Sequence, residues 1–291
     1  MTKRLRIIDT HNHLYFPGFS GQLETVLNQA RAAGVKQQIL IGIDELSCQA
    51  ALNLAAQYDD FKVTLGLHPC DVDQLGIYDE KHHQYVGLKN HQPPTIHHLP
   101  EYFAWLDQLA SQHASTVVAF GETGFDQFHQ QSPELLAAQT ASFERHLELC
   151  QKHDKALIIH SRGARDETLN FIKSRAEAFK ALNFVWHCFT EDAAAAQVVL
   201  ELGGYLGVGG VATYPKSEAL RDIIAQAPLE QLLTETDAPF LTPHQVRKAG
   251  VKLNSPAFLP EVVAQVAELK NMEPTACSQQ LYKNAQRAFS L

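Results

Sequence analysis

Residues 116–126 read Thr-Val-Val-Ala-Phe-Gly-Glu-Thr-Gly-Phe-Asp. A short apolar run, Thr116–Gly121, stops on a glycine and is succeeded at once by a carboxylate, Glu122. The run lacks clean polar/apolar alternation. That is the pattern of a strand packed on both faces, as in a parallel sheet covered by helices. Gly121 and Gly124 let the backbone turn sharply and bring Glu122 close to a ligand. Taken alone, such a carboxylate reads first as a solvated turn residue.

The same grammar recurs on both sides of this stretch. Strand-like runs are expected at Leu5–Thr10, Gln37–Ile43, Val63–Leu67, Thr116–Gly121, Ala156–Ile159, Phe184–Trp186, Gly204–Val208 and Gln231–Thr234. Helical patterns lie between them. One carries Leu23, Val26, Leu27 and Ala30 on a single face and stops at Gly34. Another starts with Ser132 as N-cap and Pro133 at the first helical position. Residues 260–270 and 274–289 read as further helices. Eight rounds of strand and helix predict a (β/α)8 TIM barrel of α/β class. Such a barrel takes about 250 residues, so the 291 residues fit one domain, 1–291. Residues 76–100 are long, polar and proline-containing, and read as a loop insertion after the third strand, on the functional side of the barrel.

The C-terminal ends of these strands are chemically uniform. The first ends in Asp9-Thr10-His11-Asn12-His13; residues two apart on a strand face the same way, so His11 and His13 can serve one ion, with Asp9 as a hydrogen-bond partner behind them. His160 comes after Ile158-Ile159, His187 after Val185-Trp186, and Asp237 lies in Thr234-Glu235-Thr236-Asp237-Ala238-Pro239-Phe240. His68 comes after Gly66-Leu67 and can contact substrate, and Gly207-Val208-Gly209-Gly210 closes the seventh strand. Each His has a bland alternative as a satisfied core residue, and Asp237 as a turn cap. In a barrel, however, all these strand ends converge on one pocket. That coincidence predicts a metal site of His11, His13, Glu122, His160, His187 and Asp237. Imidazole donors suit Zn²⁺ or Mn²⁺ better than Mg²⁺.

Composition narrows the class. The chain is 45% hydrophobic and 19% charged, with 24 basic against 32 acidic residues and a net charge of −8. A protein that coats nucleic acid non-specifically is normally basic, so extensive DNA coating is disfavoured. A small site whose cations supply positive charge is not. Five scattered cysteines with no Cys-x-x-Cys pair read as reduced thiols of a cytoplasmic protein. No signal-peptide core and no membrane-length apolar run is present.

In order along the chain, DTHNH (9–13), GLHP (66–69), GETGFD (121–126), IIHSR (158–162), WHCF (186–189) and ETDAPF (235–240) resemble the TatD family of metal-dependent deoxyribonucleases, within the amidohydrolase superfamily. The resemblance spans nearly the whole chain. It implies a two-metal barrel in which His11, His13, Glu122 and Asp237 hold one divalent ion, and Glu122 also reaches a second, shared with His160 and His187. It implies catalytic roles for Glu122 and Asp237, and substrate contacts by His68 and Asn254. The implied activity is 3′–5′ exonuclease cleavage of single-stranded DNA by a metal-activated water, with Zn²⁺ or Mn²⁺ bound tightly and Mg²⁺ supporting turnover. The chain departs from the family at Cys70, where a second His is frequent, and at Leu253, where an Arg usually precedes Asn254.

A two-metal water attacks carbonyls as readily as phosphoryls. The same ligand set therefore also serves an ester or amide substrate, such as an aminoacyl ester on tRNA. A non-catalytic nucleic-acid binder would need a basic groove with stacking aromatics, which the net charge opposes. Nothing in the sequence calls for an obligate protein partner or a membrane.

Overall fold

The computed structural model describes residues 5–72, 98–128 and 131–291. Of the expected insertion at 76–100, all but residues 98–100 lies outside them. The strands are β1 (Ile7–Asn12), β2 (Val35–Ile41), β3 (Phe61–Leu65), β4 (Val117–Asp126), β5 (Ala156–Arg162), β6 (Phe184–Trp186), β7 (Tyr205–Val208) and β8 (Leu232–Thr234). They form one eight-stranded sheet in the order β1-β2-β3-β4-β5-β6-β7-β8. Helices run between them: α1 (Leu23–Ala33), α2 (Glu45–Ala55), α3 (Leu99–Gln112), α4 (Pro133–His153), α5 (Arg165–Ser174), α6 (Ala176–Lys180), α7 (Ala193–Glu201) and α8 (Glu218–Gln226). After β8 come α9 (His244–Lys248), α10 (Leu259–Leu269) and α11 (Pro274–Phe289). This is the (β/α)8 TIM barrel that the alternation predicts.

The helix signals act where the sequence puts them. Gly34 ends α1 at φ 102°, a conformation that disfavours a side chain. The Ser132 hydroxyl accepts the Leu135 N–H at 3.0 Å, with Pro133 opening α4. Three strands run further than expected. β1 continues to Asn12, β5 to Arg162, and β4 five residues past Gly121 to Asp126. The expected sharp turn at Gly121 is instead a bulge inside β4. Gly121 sits at φ 115°, and the β4–β5 register shifts between Phe120 and Thr123 before pairing resumes at Gly124↔His160 and Asp126↔Arg162. A Cβ on Gly121 would run into the Ile158 carbonyl, so the close approach of β5 requires glycine there.

By its contacts the chain forms two compact units. The first comprises Met1–Leu14, Gly18–Ile39 and Trp186–Leu291. Its core joins Ile7 and Ile8 of β1, Leu232 and Leu233 of β8, Val262, Val263 and Val266 of α10, and Leu281, Ala285 and Phe289 of α11, all buried. The α11 amide of Asn284 donates to the carbonyls of Leu229 and Leu232 at 2.6 and 2.8 Å, fixing the helix on the strand it covers. The second unit comprises Tyr15–Pro17 and Leu40–Val185. There Phe143 of α4 stacks on Phe171 of α5 with centroids 3.9 Å apart, beneath the apolar faces of β4 and β5.

One buried polar contact in the second unit fixes the turn after β3. His146 of α4 is fully buried. Its Nδ1–H donates to Ser142 O at 2.8 Å, and its Nε2 accepts the Leu67 N–H at 3.1 Å. Burial pushes this imidazole down to about 4 from 6.5, only partly opposed by the Ser142 carbonyl. A neutral His in the fold and an ordinary one in the unfolded chain means that the unfolded state binds more protons between those values. The stability contributed is fully present above about pH 6.5 and is lost as pH falls to about 4. At most roughly 3 kcal/mol is at stake. Urea unfolding measured across this range should show wild-type stability falling more steeply towards acid than that of His146→Gln, which does not titrate; parallel profiles would rule the effect out.

Candidate metal centre

The polar strand ends of the first unit converge on β1 and on the segment after β8. The Asp237 N–H donates to His11 O at 2.9 Å, and the His13 N–H donates to Ala238 O at 2.8 Å. These bonds extend β1 pairing past the end of β8 and bring His11, His13 and Asp237 together. Asp237 Oδ1 lies 3.3 Å from His13 Nε2 and 3.7 Å from His11 Nε2. His187 stacks on His11, with ring centroids 4.0 Å apart and planes 8° from parallel. His187 Nδ1 is 3.5 Å from Glu235 Oε1.

Asp237 adopts a left-handed backbone at φ 53°. Asp tolerates that region better than most residues, and it persists when the surroundings over-determine it. Here they do. Thr236 donates its N–H to Asp9 Oδ1 at 2.9 Å and its hydroxyl to Asp9 Oδ2 at 2.6 Å. Asp9 also accepts from Asn12 Nδ2 and the His11 N–H. Asp9 is thus placed differently from the sequence expectation: it holds backbone and the Thr236 hydroxyl, not a ligand imidazole. Burial pushes its carboxyl up to about 7 against these donors. For Asp237, burial raises the carboxyl, but the hydrogen bond from His13 and the charges of His11, His13 and His187 outweigh it. Its pKa therefore lies below the usual carboxylate value, and the group is ionised at neutral pH.

Asn254 is fully buried. Its amide donates to Thr236 O at 2.7 Å, and its Oδ1 accepts the Ser255 N–H at 2.8 Å. The amide of this side chain, expected at the substrate, braces the Thr236–Asp237 turn, while its oxygen holds the next residue of its own segment. Leu253, in the place of the family's Arg, is 37% exposed.

In the second unit, the register of β4 with β5 brings Glu122, Asp126 and His160 together. His160 Nδ1 is 2.6 Å from Glu122 Oε1, and its Nε2 is 3.1 Å from Asp126 Oδ2. His68 Nε2 is 3.6 Å from Glu122 Oε1, and its ring packs edge-on against His160 at 4.4 Å. The Cys70 N–H donates to His68 Nδ1 at 3.1 Å, which points Nε2 at the carboxylate. Burial and the nearby His160 lower the His68 pKa, partly offset by Glu122. For Asp126, burial raises the carboxyl, but His160 outweighs it and holds the group at about 2. Buried Gln139 donates to both Pro69 O and Asp126 O, at 3.1 and 3.0 Å, tying the His68 turn to the end of β4.

His11, His13, Asp237 and His187 therefore meet in one unit, and Glu122 and His160 meet in the other, with His68 beside them. Two residues escaped the sequence expectation. Glu235 joins His11 and His187, and Asp126 flanks His160. Both stand an even number of residues from a predicted ligand, Asp237 and Glu122 respectively, and that period-2 spacing is the signal that could have found them.

The donor chemistry fits divalent cations. Three sets, His11/His13/Asp237, His11/His187/Glu235 and His68/Glu122/His160, each offer nitrogen and oxygen atoms within 4.8 Å of one another. Glu235 Oε2 is buried with no hydrogen-bond partner among the described residues, a costly state for a carboxylate that a cation would relieve. Gly207 makes room for it: a Cβ there would lie 2.5 Å from Glu235 Oε2 and 2.9 Å from His187 Cα. Gly207→Ala should therefore displace Glu235, lower stability by about 1–3 kcal/mol, and reduce metal retained per chain. Unaltered unfolding and metal content would show that the pocket is not this tight.

Comparisons with known proteins agree with the geometry. A family profile described as TatD related DNase matches residues 8–290. An uncharacterized metal-dependent hydrolase, YabD of Bacillus subtilis, is 29% identical over 285 residues, 98% of this chain and 99% of its own. A protein of Erwinia tasmaniensis named 3′-5′ ssDNA/RNA exonuclease TatD is 30% identical over 278 residues, covering 94% of this chain and 95% of its own. The crystal structure of YjjV, a TatD homologue from Escherichia coli, superposes with a TM-score of 0.82 at 29% identity and covers 99% of each chain. Matched from end to end, with imidazoles and carboxylates gathered at its strand ends, this chain belongs to the TatD family of metal-dependent hydrolases.

Proposed function

We propose that the protein is a 3′–5′ exonuclease that cleaves the phosphodiesters of single-stranded DNA with a metal-activated water. The observation that carries this is the gathering of buried His, Glu and Asp donors into sets tight enough to hold cations. Support for the substrate comes from the Erwinia relative, whose name is that of a single-strand exonuclease. A net charge of −8 also suits a polyanion only if it is met locally by positive charge.

Under this assignment His11, His13 and Asp237, with His187 and Glu235 beside them, would hold a divalent ion, and Glu122 and His160 would hold another. Bound divalent ions supply Lewis acidity, neutralising phosphate charge and lowering the pKa of water from near 16 towards about 7. The protein supplies position and proton acceptors. Ionised Asp237 takes the proton of the attacking water at a carboxylate oxygen. Its fixed turn, braced by Asp9 and Asn254, keeps that oxygen aimed without reorganisation. Glu122 orients His160 through its Nδ1 contact. His68, neutral at physiological pH, donates a hydrogen bond to a phosphoryl oxygen. Mixed imidazole and carboxylate donors favour Zn²⁺ or Mn²⁺, with Mg²⁺ able to support turnover in excess.

Metal analysis of the purified protein should find Zn²⁺ or Mn²⁺, and chelator should abolish release of nucleotides from 3′ ends of labelled single strands. Glu122→Ala and Asp237→Ala should each reduce hydrolysis by at least about 1,000-fold, in keeping with loss of a metal-centred stabilisation of several kcal/mol. Their circular dichroism should match wild type. Full activity in both variants overturns the assignment. Activity confined to an ester and amide panel run in parallel transfers the same centre to carbonyl substrates.

A further inference from the structure

Two residues at the exit of the β4–β5 ladder have no place in the chemistry above. Phe128 is 61% exposed. Arg162, the last residue of β5, is exposed and lays its guanidinium over the Phe128 ring, 3.9 Å from the centroid. Two hydrogen bonds from backbone N–H groups place the pair. The Gln127 N–H donates to Arg162 O at 2.9 Å, and the Phe128 N–H donates to Asp126 Oδ1 at 3.0 Å. The other oxygen of that carboxylate touches His160. Gly163, at φ 61°, takes the left-handed turn that follows Arg162. Phe128 and Arg162 thus stand directly outside the His160–Glu122 group, on the same two strand ends.

We propose that Phe128 and Arg162 form a subsite for a nucleotide next to the scissile phosphodiester. Phe128 is the platform for its base, and Arg162 is the contact for its phosphate. This deepens the phosphodiesterase assignment and rests on it. A phenyl ring exposed to water presents a flat apolar face of the kind on which bases stack. The Arg162 guanidinium over that ring carries five N–H donors in a planar fork whose geometry suits phosphate oxygens. A chain with a net charge of −8 needs such a local cation to hold a single strand. Stacking reads the π-face common to every base, so the subsite accepts any sequence, as an exonuclease acting along a mixed strand requires.

The experiment compares holoenzyme variants on labelled oligo(dT) and on methyl p-nitrophenyl phosphate, a diester with no base. For Phe128→Ala the ratio of kcat/KM on oligo(dT) to that on the small diester should fall on the order of 10-fold, mostly through KM. Phe128→Trp should keep the wild-type ratio within about 3-fold, and oligo(dT) added in the presence of chelator should quench its indole fluorescence. Arg162→Ala should weaken oligonucleotide binding and flatten its dependence on log salt concentration by about 0.7. An unchanged ratio in Phe128→Ala, or no quenching in Phe128→Trp, overturns the subsite while leaving the hydrolytic centre standing. A wild type that cleaves neither diester, with quenching retained, overturns the phosphodiesterase assignment and leaves the stacking platform standing.

Discussion

Two backbone hydrogen bonds, from Asp237 to the His11 carbonyl and from His13 to the Ala238 carbonyl, join residues more than two hundred positions apart. Without them no carboxylate would be held against the His11 and His13 rings. With them an ionised carboxylate is delivered to both rings. The Asp9–Thr236 bonds and the Asn254 amide reinforce the same junction from the buried side. Each of these groups is sealed from water, so each must find a partner, and the partners available are those that fix the turn. The left-handed Asp237 backbone is held at the centre of that polar network rather than left to its own preference.

The second unit solves a related problem differently. Glu122 succeeds an apolar strand that must also carry Phe125 and Asp126 onward. The bulge at Gly121 resets the register, so that Gly124 pairs with His160 and Asp126 with Arg162. His160 is thereby held between two carboxylates instead of one. Behind them α4 sends two buried polar side chains, His146 and Gln139, to the turn that bears His68. The helix that Ser132 and Pro133 open is thus also the brace for a site residue.

The fold was legible because its signals are local. Gly34, Ser132, Pro133 and the apolar runs each act within a few residues of where they stand, and the helices begin and end there. That candidate donors would gather was legible because position at a strand end becomes proximity to the neighbouring strand end, as for His11 with Asp237 and for Glu122 with His160. What escaped depended on contacts that no spacing encodes. Asp9 looked like a partner for an imidazole because it sits two residues from His11, yet its acceptors are taken by Thr236 and Asn12. Asn254 was expected at the substrate by resemblance alone; its burial and its bond to the Thr236 carbonyl come from a turn reached only by the fold. Glu235 and Asp126 were hidden by neighbours of the same chemistry, Asp237 and Glu122. The β4 boundary was misplaced because a glycine that breaks a lone strand can also serve as a bulge in a paired one.

The packing of β1 also has a bearing on biosynthesis. Its partner segment at 237–238 and its covering helix α11 at 274–289 leave the ribosome long after β1 itself. Throughout translation the first strand, fully buried in the finished molecule, travels with the edge that later meets 237–238 unsatisfied. Chains emerge N-terminus first at about 5–20 residues per second, so that edge is open for on the order of ten seconds. Within that interval the nascent polypeptide is a natural client for chaperones that shield apolar strands, and a stalled or truncated one would be prone to aggregate through Ile7 and Ile8.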